Sequence, residues 1–241
     1  MSKLEVQIWS DIACPWCYVG KRRLEAALAR FPQREQVEVT WRSFELDPSA
    51  PPVRDNSVSF AGRLAKKYGV TEPAAQTMIQ RVTNIARQDG LDFHFERAQA
   101  GNTFNAHRIV HLALARGLQD AVKERLFKAY MSEGEAIGLT DVLVRLATEA
   151  GLDEEEAAMV LASDAYATEV RADQQEAREL GISGVPFFVI GRYAVSGAQT
   201  AEVLLRALEQ AYSELPKDLE SFAEGAVCGP DGCDPSEVQT Q

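Results

Sequence analysis

The chain has 241 residues, of which 46 % are hydrophobic, 25 % charged and 8 % aromatic, a composition that supports a packed core and excludes disorder as the dominant state. Lys and Arg number 25 against 36 Asp and Glu, a net charge of -11 that opposes attraction to nucleic-acid phosphates or anionic lipid. No run approaches the roughly 20 apolar residues of a membrane helix, and Leu4 to Trp9 already reads as a strand, so no secretory leader, no membrane partner and a cytoplasmic location are expected.

In that first strand Leu4, Val6 and Ile8 share one face. Cys14-Pro15-Trp16-Cys17 then opens a helix, with Pro15 suited to its first position and Leu24, Ala27 and Leu28 forming its apolar stripe up to Phe31-Pro32. Val37, Val39 and Trp41 alternate with polar residues in a second strand, completing a βαβ unit. Residues 47–53 hold three prolines, which disfavour both strand pairing and helix, and read as a linker.

From Ser57 to about Leu180 the spacing is helical throughout. Segments run Phe60 to Tyr68, Pro73 to Asp89, Asn102 to Arg116, Ala121 to Gly134, Thr140 to Ala150, Asp153 to Ser163 and Ala165 to Leu180, with Asp153 and three glutamates as a negative first turn. Phe187 to Ile190 and Tyr193 to Val195 then form a hairpin across Gly191-Arg192. Ser196-Gly-Ala-Gln199 matches a capping box for a last helix ending near Leu215. The expected organisation is an α/β part formed by residues 1–48 and 181–215, an inserted helical part with a return helix over 49–180, and a flexible tail over 216–241.

The four cysteines are too few for a disulfide scaffold in a chain this long. At a helix N-terminus, free amide N–H groups and the helix dipole stabilise a thiolate, so Cys14 is the candidate nucleophile. Cys17, one turn on, is the candidate resolving thiol. Zinc binding by Cys14, Cys17, Cys228 and Cys233 is the alternative, and it requires the tail to dock; inert buried thiols are another. Gly184-Val185-Pro186-Phe187 begins a strand of the hairpin, where a cis Val185–Pro186 bond would offer the Val185 backbone to an extended substrate beside the sulfur.

Asp11-Ile-Ala-Cys-Pro-Trp-Cys-Tyr-Val-Gly20, Asn102-Thr-Phe-Asn-Ala-His-Arg108, Gly181-Ile-Ser-Gly-Val-Pro-Phe187 and Ser196-Gly-Ala-Gln199 together resemble the DsbA family of thioredoxin-fold proteins, and within it the cytoplasmic FrnE-like branch. The resemblance implies an α/β thioredoxin fold with an inserted all-helical domain and thiol–disulfide oxidoreductase or isomerase activity on protein thiols and disulfides. Cys14 and Cys17 are then the catalytic pair, and Pro15, Trp16, Val185 and Pro186 the substrate-binding residues. No cofactor or metal is implied, and glutathione or a thioredoxin system is the expected electron source. Periplasmic DsbA-type oxidants carry Pro-His between the cysteines where Pro15-Trp16 stand here. That difference points toward reduction or shuffling rather than net oxidation.

Cys228-Gly-Pro-Asp-Gly-Cys233 places Pro230 and Asp231 at the centre of a type I turn that draws the two sulfurs together. In the FrnE-like branch this Cys-x4-Cys is a second redox pair. The 13 residues from Leu215 to Cys228 reach roughly 43 to 47 Å when extended, enough to bring it to Cys14 as an electron shuttle. A local disulfide with no catalytic part is the alternative. Trp16 and Tyr18 either line a binding surface or pack inward, and Lys21, Arg22 and Arg23 are expected on a solvated helix face. His107 and His111, four apart on a helix, read as hydrogen-bonded residues rather than metal ligands. No Ser-His-Asp order is defensible. The rival functions are a glutathione-dependent kappa-class transferase or 2-hydroxychromene-2-carboxylate isomerase, which typically carry Ser at the nucleophile position, and a non-catalytic zinc-binding or interaction module.

Overall fold

The computed structural model describes residues 3–53, 57–99, 101–216, 228–229 and 232–233. Strand β1 (Leu4–Ser10) leads into helix α1 (Pro15–Arg30) and strand β2 (Val37–Ser43), which lies parallel to β1 from Leu4 opposite Val37 to Ser10 opposite Ser43. Strands β3 (Phe187–Ile190) and β4 (Tyr193–Ser196) complete a sheet of order β2-β1-β3-β4, β3 running antiparallel to both neighbours. Gly191, with φ +55°, supplies the left-handed residue that the two-residue hairpin needs. The fold is α/β with a helical insertion between β2 and β3, as the residue pattern predicts.

Among the described residues seven α-helices fill the insertion: α2 (Phe60–Tyr68), α3 (Glu72–Gln88), α4 (Phe104–Ala115), α5 (Gln119–Lys128), α6 (Thr140–Glu149), α7 (Glu154–Ala162) and α8 (Ala167–Glu179). Asp153 caps α7 by accepting the Glu156 N–H. The segment expected to stay helical to Gly134 passes from α5 into a π-helical turn at Ala129–Glu133. A last helix, α9 (Ala201–Ser213), packs along α1, where Phe31 meets the Tyr212 ring edge-on.

Apolar side chains pack against both faces of the sheet. Leu4, Val6 and Ile8 join the main core, whereas Trp9, of opposite parity, packs with Ala177 of α8 and Ile182. Its indole N–H donates to the Asp173 carbonyl at 3.0 Å. The Asp173 side chain also ties three elements together, accepting the Ser43 amide of β2 at 2.8 Å, the Arg42 guanidinium at 3.1 Å and His111 Nε2 of α4 at 2.8 Å.

Three local expectations are corrected. Residues 47–53 are no free linker, because the Pro51 carbonyl accepts the Asn102 N–H and the Pro52 carbonyl lies against Gly101 and Gly138. A Cβ at Gly138 would stand 1.8 Å from that oxygen, so only glycine admits the segment. Ser196 does not cap α9: it ends β4, the N-cap residue is Thr200, and the Gln199 amide donates to the Ser196 carbonyl. The turn here serves the proline loop instead, Gly197 donating its N–H to the Pro186 carbonyl at 2.9 Å. Lys21, finally, is buried. Its ammonium pairs with Glu25, Asp120 and Glu124, and Arg22 joins Glu25 and Glu124, which binds α1 to α5 where a solvated face was expected. Carboxylates from a second helix make that burial tolerable.

Burial works against the Asp173 charge, but His111, the Ser43 amide and Arg42 outweigh it and hold the carboxyl below the usual carboxylate range. Asp173→Ala should cost about 3 kcal/mol in a urea titration near neutral pH. A depressed folded-state pKa stabilises above the unfolded value and is lost as pH falls through the folded one. The difference between wild type and variant should therefore shrink below about pH 4; a difference that persists into acid would contradict this role.

Candidate active site at the thiol pair

Beyond β1 the chain turns at Asp11, whose carboxylate accepts the Ala13 N–H at 3.3 Å and the Leu46 N–H at 2.7 Å. Asp11 also accepts the Cys14 N–H on its carbonyl, which sets Cys14 as the N-cap residue of α1. Pro15 follows in the first turn, where its missing N–H costs nothing. No side chain caps this helix end, so its amide dipoles are directed at the cysteine turn.

Opposite stands the loop entering β3. The Val185–Pro186 peptide is cis, as the sequence suggested. The Cys14 thiol donates to the Val185 carbonyl across 3.5 Å. Gly20 makes the approach feasible: a Cβ there would lie 3.1 Å from Pro186 Cγ and 3.2 Å from Phe188 Cζ. Cys14 is 4 % exposed, Cys17 is fully buried, and both are free thiols. Pro15 and Val185 are half-buried, Pro186 is buried and Trp16 is exposed, with Ser183 and Gly184 exposed beside them in the chain. Tyr18 packs inward, its ring stacked on Phe127 at 5.0 Å and its hydroxyl donating to Glu124 at 2.6 Å.

Burial pushes the Cys17 thiol well up from its ordinary range, and the hydrogen bond and charge of Cys14 add to that. The Asp11 backbone and the ammonium of Lys123 pull the other way. Asp11 itself is fully buried, yet His107, the Leu46 amide and Thr103 hold its carboxyl below the usual range against desolvation. His107 Nε2 of α4 stands 3.5 Å from Asp11 Oδ1. Burial pushes this imidazole down, so it is neutral near pH 7.

His111 faces elsewhere, with Nε2 at 3.2 Å from Ser43 Oγ and 2.8 Å from Asp173. Both contacts use the same ring nitrogen, so no proton relay runs through the ring from Ser43 to Asp173. Among the described residues no group of three or more His, Cys, Asp or Glu is placed to hold a metal. In the tail, Cys228–Gly229 (β5) and Gly232–Cys233 (β6) pair antiparallel with Cys228 opposite Cys233. The turn expected at Pro230-Asp231 lies outside the described residues, as do 217–227 and 234–241.

Lys123 was missed by sequence reasoning. It is 0 % exposed on α5, in phase with buried Val122, Leu126 and Phe127. That phase was a readable signal, although lysine is rarely buried. Gly20 and the role of Asp11 were also missed, because close approach and loop hydrogen bonding leave no periodic trace.

The burial difference predicts an order of reactivity. Brief treatment of the reduced native chain with iodoacetamide near neutral pH should modify Cys14, and Cys17 only after denaturation. Peptide mass spectrometry reads this, and equal labelling of the two would contradict the geometry.

The model of the DSBA-like thioredoxin domain family matches residues 5–209. The crystal structure of a probable DsbA oxidoreductase from Streptomyces coelicolor is 45 % identical with a TM-score of 0.82, covering 96 % of this chain and 98 % of that one. The Bacillus subtilis protein YwbO, itself uncharacterized, is 30 % identical over 208 residues, 85 % of this chain and 96 % of its own. The cytosolic disulfide reductase DsbM of Pseudomonas aeruginosa shares the fold, with a TM-score of 0.56 at 19 % identity over 87 % of this chain and 96 % of that one.

Proposed function

The chain belongs to the DSBA-like thioredoxin domain family, and on that premise we propose that it is a cytoplasmic, FrnE-like protein thiol–disulfide oxidoreductase and isomerase working at Cys14 and Cys17. The observation that carries this reading is the 3.5 Å contact between the Cys14 sulfur, at the N-terminus of α1, and the Val185 carbonyl beside the cis-proline. An extended substrate strand pairing with the Val185 backbone brings its disulfide against Cys14. Pro15, Trp16 and Pro186 border that strand.

The exchange balances without a cofactor. The Cys14 thiolate attacks one substrate sulfur, forming a mixed disulfide and releasing the other sulfur as a thiolate. Cys17 loses its proton and attacks the Cys14 sulfur; the Cys14–Cys17 disulfide forms as the first substrate sulfur leaves. Reducing equivalents then regenerate the dithiol, from glutathione or a thioredoxin system. The antiparallel register that sets Cys228 opposite Cys233 supports the tail as an intermediate carrier of those equivalents. Among the described residues no helix is long and apolar enough to cross a membrane. Trp16 in place of the histidine of periplasmic oxidants favours reduction or shuffling, which suits a reducing cytoplasm.

Dithiothreitol-driven reduction of insulin tests this. Wild type should accelerate precipitation clearly over dithiothreitol alone, and Cys14→Ser should not. Equal rates for the two would overturn the reading and favour a glutathione-dependent enzyme of the same fold. In the glutathione-coupled assay, Cys228→Ser should slow recovery of the reduced enzyme severalfold; an unaffected variant would leave that pair a local disulfide.

A further inference from the structure

Two arginines of α1 reach toward the chain that leads into α9. Arg30 meets Glu202 at 3.0 Å with both side chains more than half exposed, where an ion pair contributes little. Arg23, on the stretch expected to face solvent, is different. Its side chain and that of Asp89 are 19 % and 22 % exposed. Nε donates to the Asp89 carboxylate at 3.0 Å, and Nη1 donates to the Ala198 carbonyl at 2.7 Å. Asp89 is the C-cap residue of α3, so the insertion supplies the carboxylate that orients the guanidinium. A planar fork suits two acceptors held at once.

Ala198 sits in a turn that is closed on itself. The Gln199 N–H donates to the Gly197 carbonyl and the Gln199 side-chain amide to the Ser196 carbonyl, each at 2.9 Å. Gly197, with φ +78°, turns its own N–H to the Pro186 carbonyl at 2.9 Å. From the helix that carries the thiols, Arg23 therefore grips the turn that holds the loop facing them. That loop has a second tie to α1, the Cys14 thiol donating to the Val185 carbonyl across 3.5 Å. This second tie needs the thiol proton, and neither the Cys14 thiolate nor a mixed disulfide has one to donate. The tie through Gly197 and Arg23 involves no thiol, so it does not depend on the redox state. The Val185 carbonyl, released by Cys14 at that moment, is an acceptor already held in place for a substrate amide.

We propose that Arg23 is the positioning residue for the Val185-Pro186 backbone, and that through Asp89 the helical insertion sets how well an extended polypeptide strand is held beside Cys14. This rests on the reading of Cys14 and Cys17 as the redox pair and of Val185 as the backbone that a substrate pairs with. The two hydrogen bonds of Arg23 go to Asp89 and Ala198, so it acts through Ala198, Gly197 and Pro186 and not on the reacting sulfurs. A disulfide that carries no peptide backbone is indifferent to it.

The test compares three disulfides on the reduced full-length chain in a Cys228→Ser/Cys233→Ser background, where Cys14 and Cys17 are the remaining thiols. One is dithiobis(nitrobenzoate). The second is an extended peptide whose single cysteine carries the same nitrothiobenzoate group, and the third is that peptide with the amides flanking its cysteine N-methylated. In each, Cys14 forms a bond to one sulfur and the coloured thiolate leaves with the electron pair of the broken S–S bond, so one absorbance reads all three. The parent should react faster with the unmethylated peptide than with the methylated one. In Arg23→Met that preference should largely vanish, with a loss of about tenfold in the rate of the unmethylated peptide, while the rate with dithiobis(nitrobenzoate) stays that of the parent. A loss of folding stability alone slows no substrate selectively, so the ratio of the two peptide rates separates positioning from a structural role. An unchanged ratio in Arg23→Met would overturn the proposal while leaving the redox pair intact. A parent that treats the two peptides alike would overturn it together with the strand pairing, and a parent that releases no coloured thiolate above the buffer rate from any of the three would fail the reading of the thiol pair itself. Should Arg23→Met not fold, Asp89→Ala decides by the same ratio: a fall of roughly threefold is expected, and no fall would overturn the proposal.

Discussion

The antiparallel pairing of β1 with β3 sets Trp9 opposite Phe187, so the residues following β1 and those preceding β3 leave the sheet at the same edge, side by side. Cys14 and Pro186 are 172 positions apart and meet because of that register, not because either local sequence demands it. A slip of one residue would turn every β3 side chain to the opposite face. It would also carry the Val185 carbonyl out of hydrogen-bond distance of the Cys14 sulfur. Gly20 and Gly197 then refine the fit, the first by leaving room for the proline ring and the second by tying its carbonyl.

The insertion is bound to this edge by charge as much as by apolar packing. Asp173 joins α8 to β2 and α4, Lys21 and Arg22 join α1 to the carboxylates of α5, and His107 of α4 reaches Asp11 in the turn before the thiols. Groups paired in this way fix orientation strongly, because removing one partner leaves the other charge buried. The helical stretch thereby supplies polar contacts to the turn before the thiols as well as cover. Lys123 of α5 is buried as well, its ammonium lying against the Trp41 and Phe127 rings.

Much of this was legible in the sequence. Alternation at Leu4, Val6 and Ile8 and at Val37, Val39 and Trp41 marked β1 and β2, helical spacing marked the insertion, and Cys14-Pro15-Trp16-Cys17 with Val185-Pro186 marked the candidate site. What escaped was non-periodic or ran against residue habit. Ser196 to Gln199 fits a cap motif locally, but tertiary hydrogen bonding to Pro186 decides its use. The prolines of residues 47–53 announced irregular backbone correctly and said nothing of the glycines at 101 and 138 that receive it. Lys21 looked solvent-facing because lysine usually is, and two of its carboxylates, Asp120 and Glu124, lie about a hundred positions away.

On the proposed function, Cys14 and Cys17 form a reversible dithiol–disulfide couple. An equilibrium titration against glutathione buffers, in a Cys228→Ser/Cys233→Ser background with acid quenching and thiol trapping, tests it most directly. A single two-electron transition is expected, in which both sulfurs change state together and return fully on reduction. Two thiols that stay reduced across the whole range, or that take up glutathione independently without joining, would contradict it.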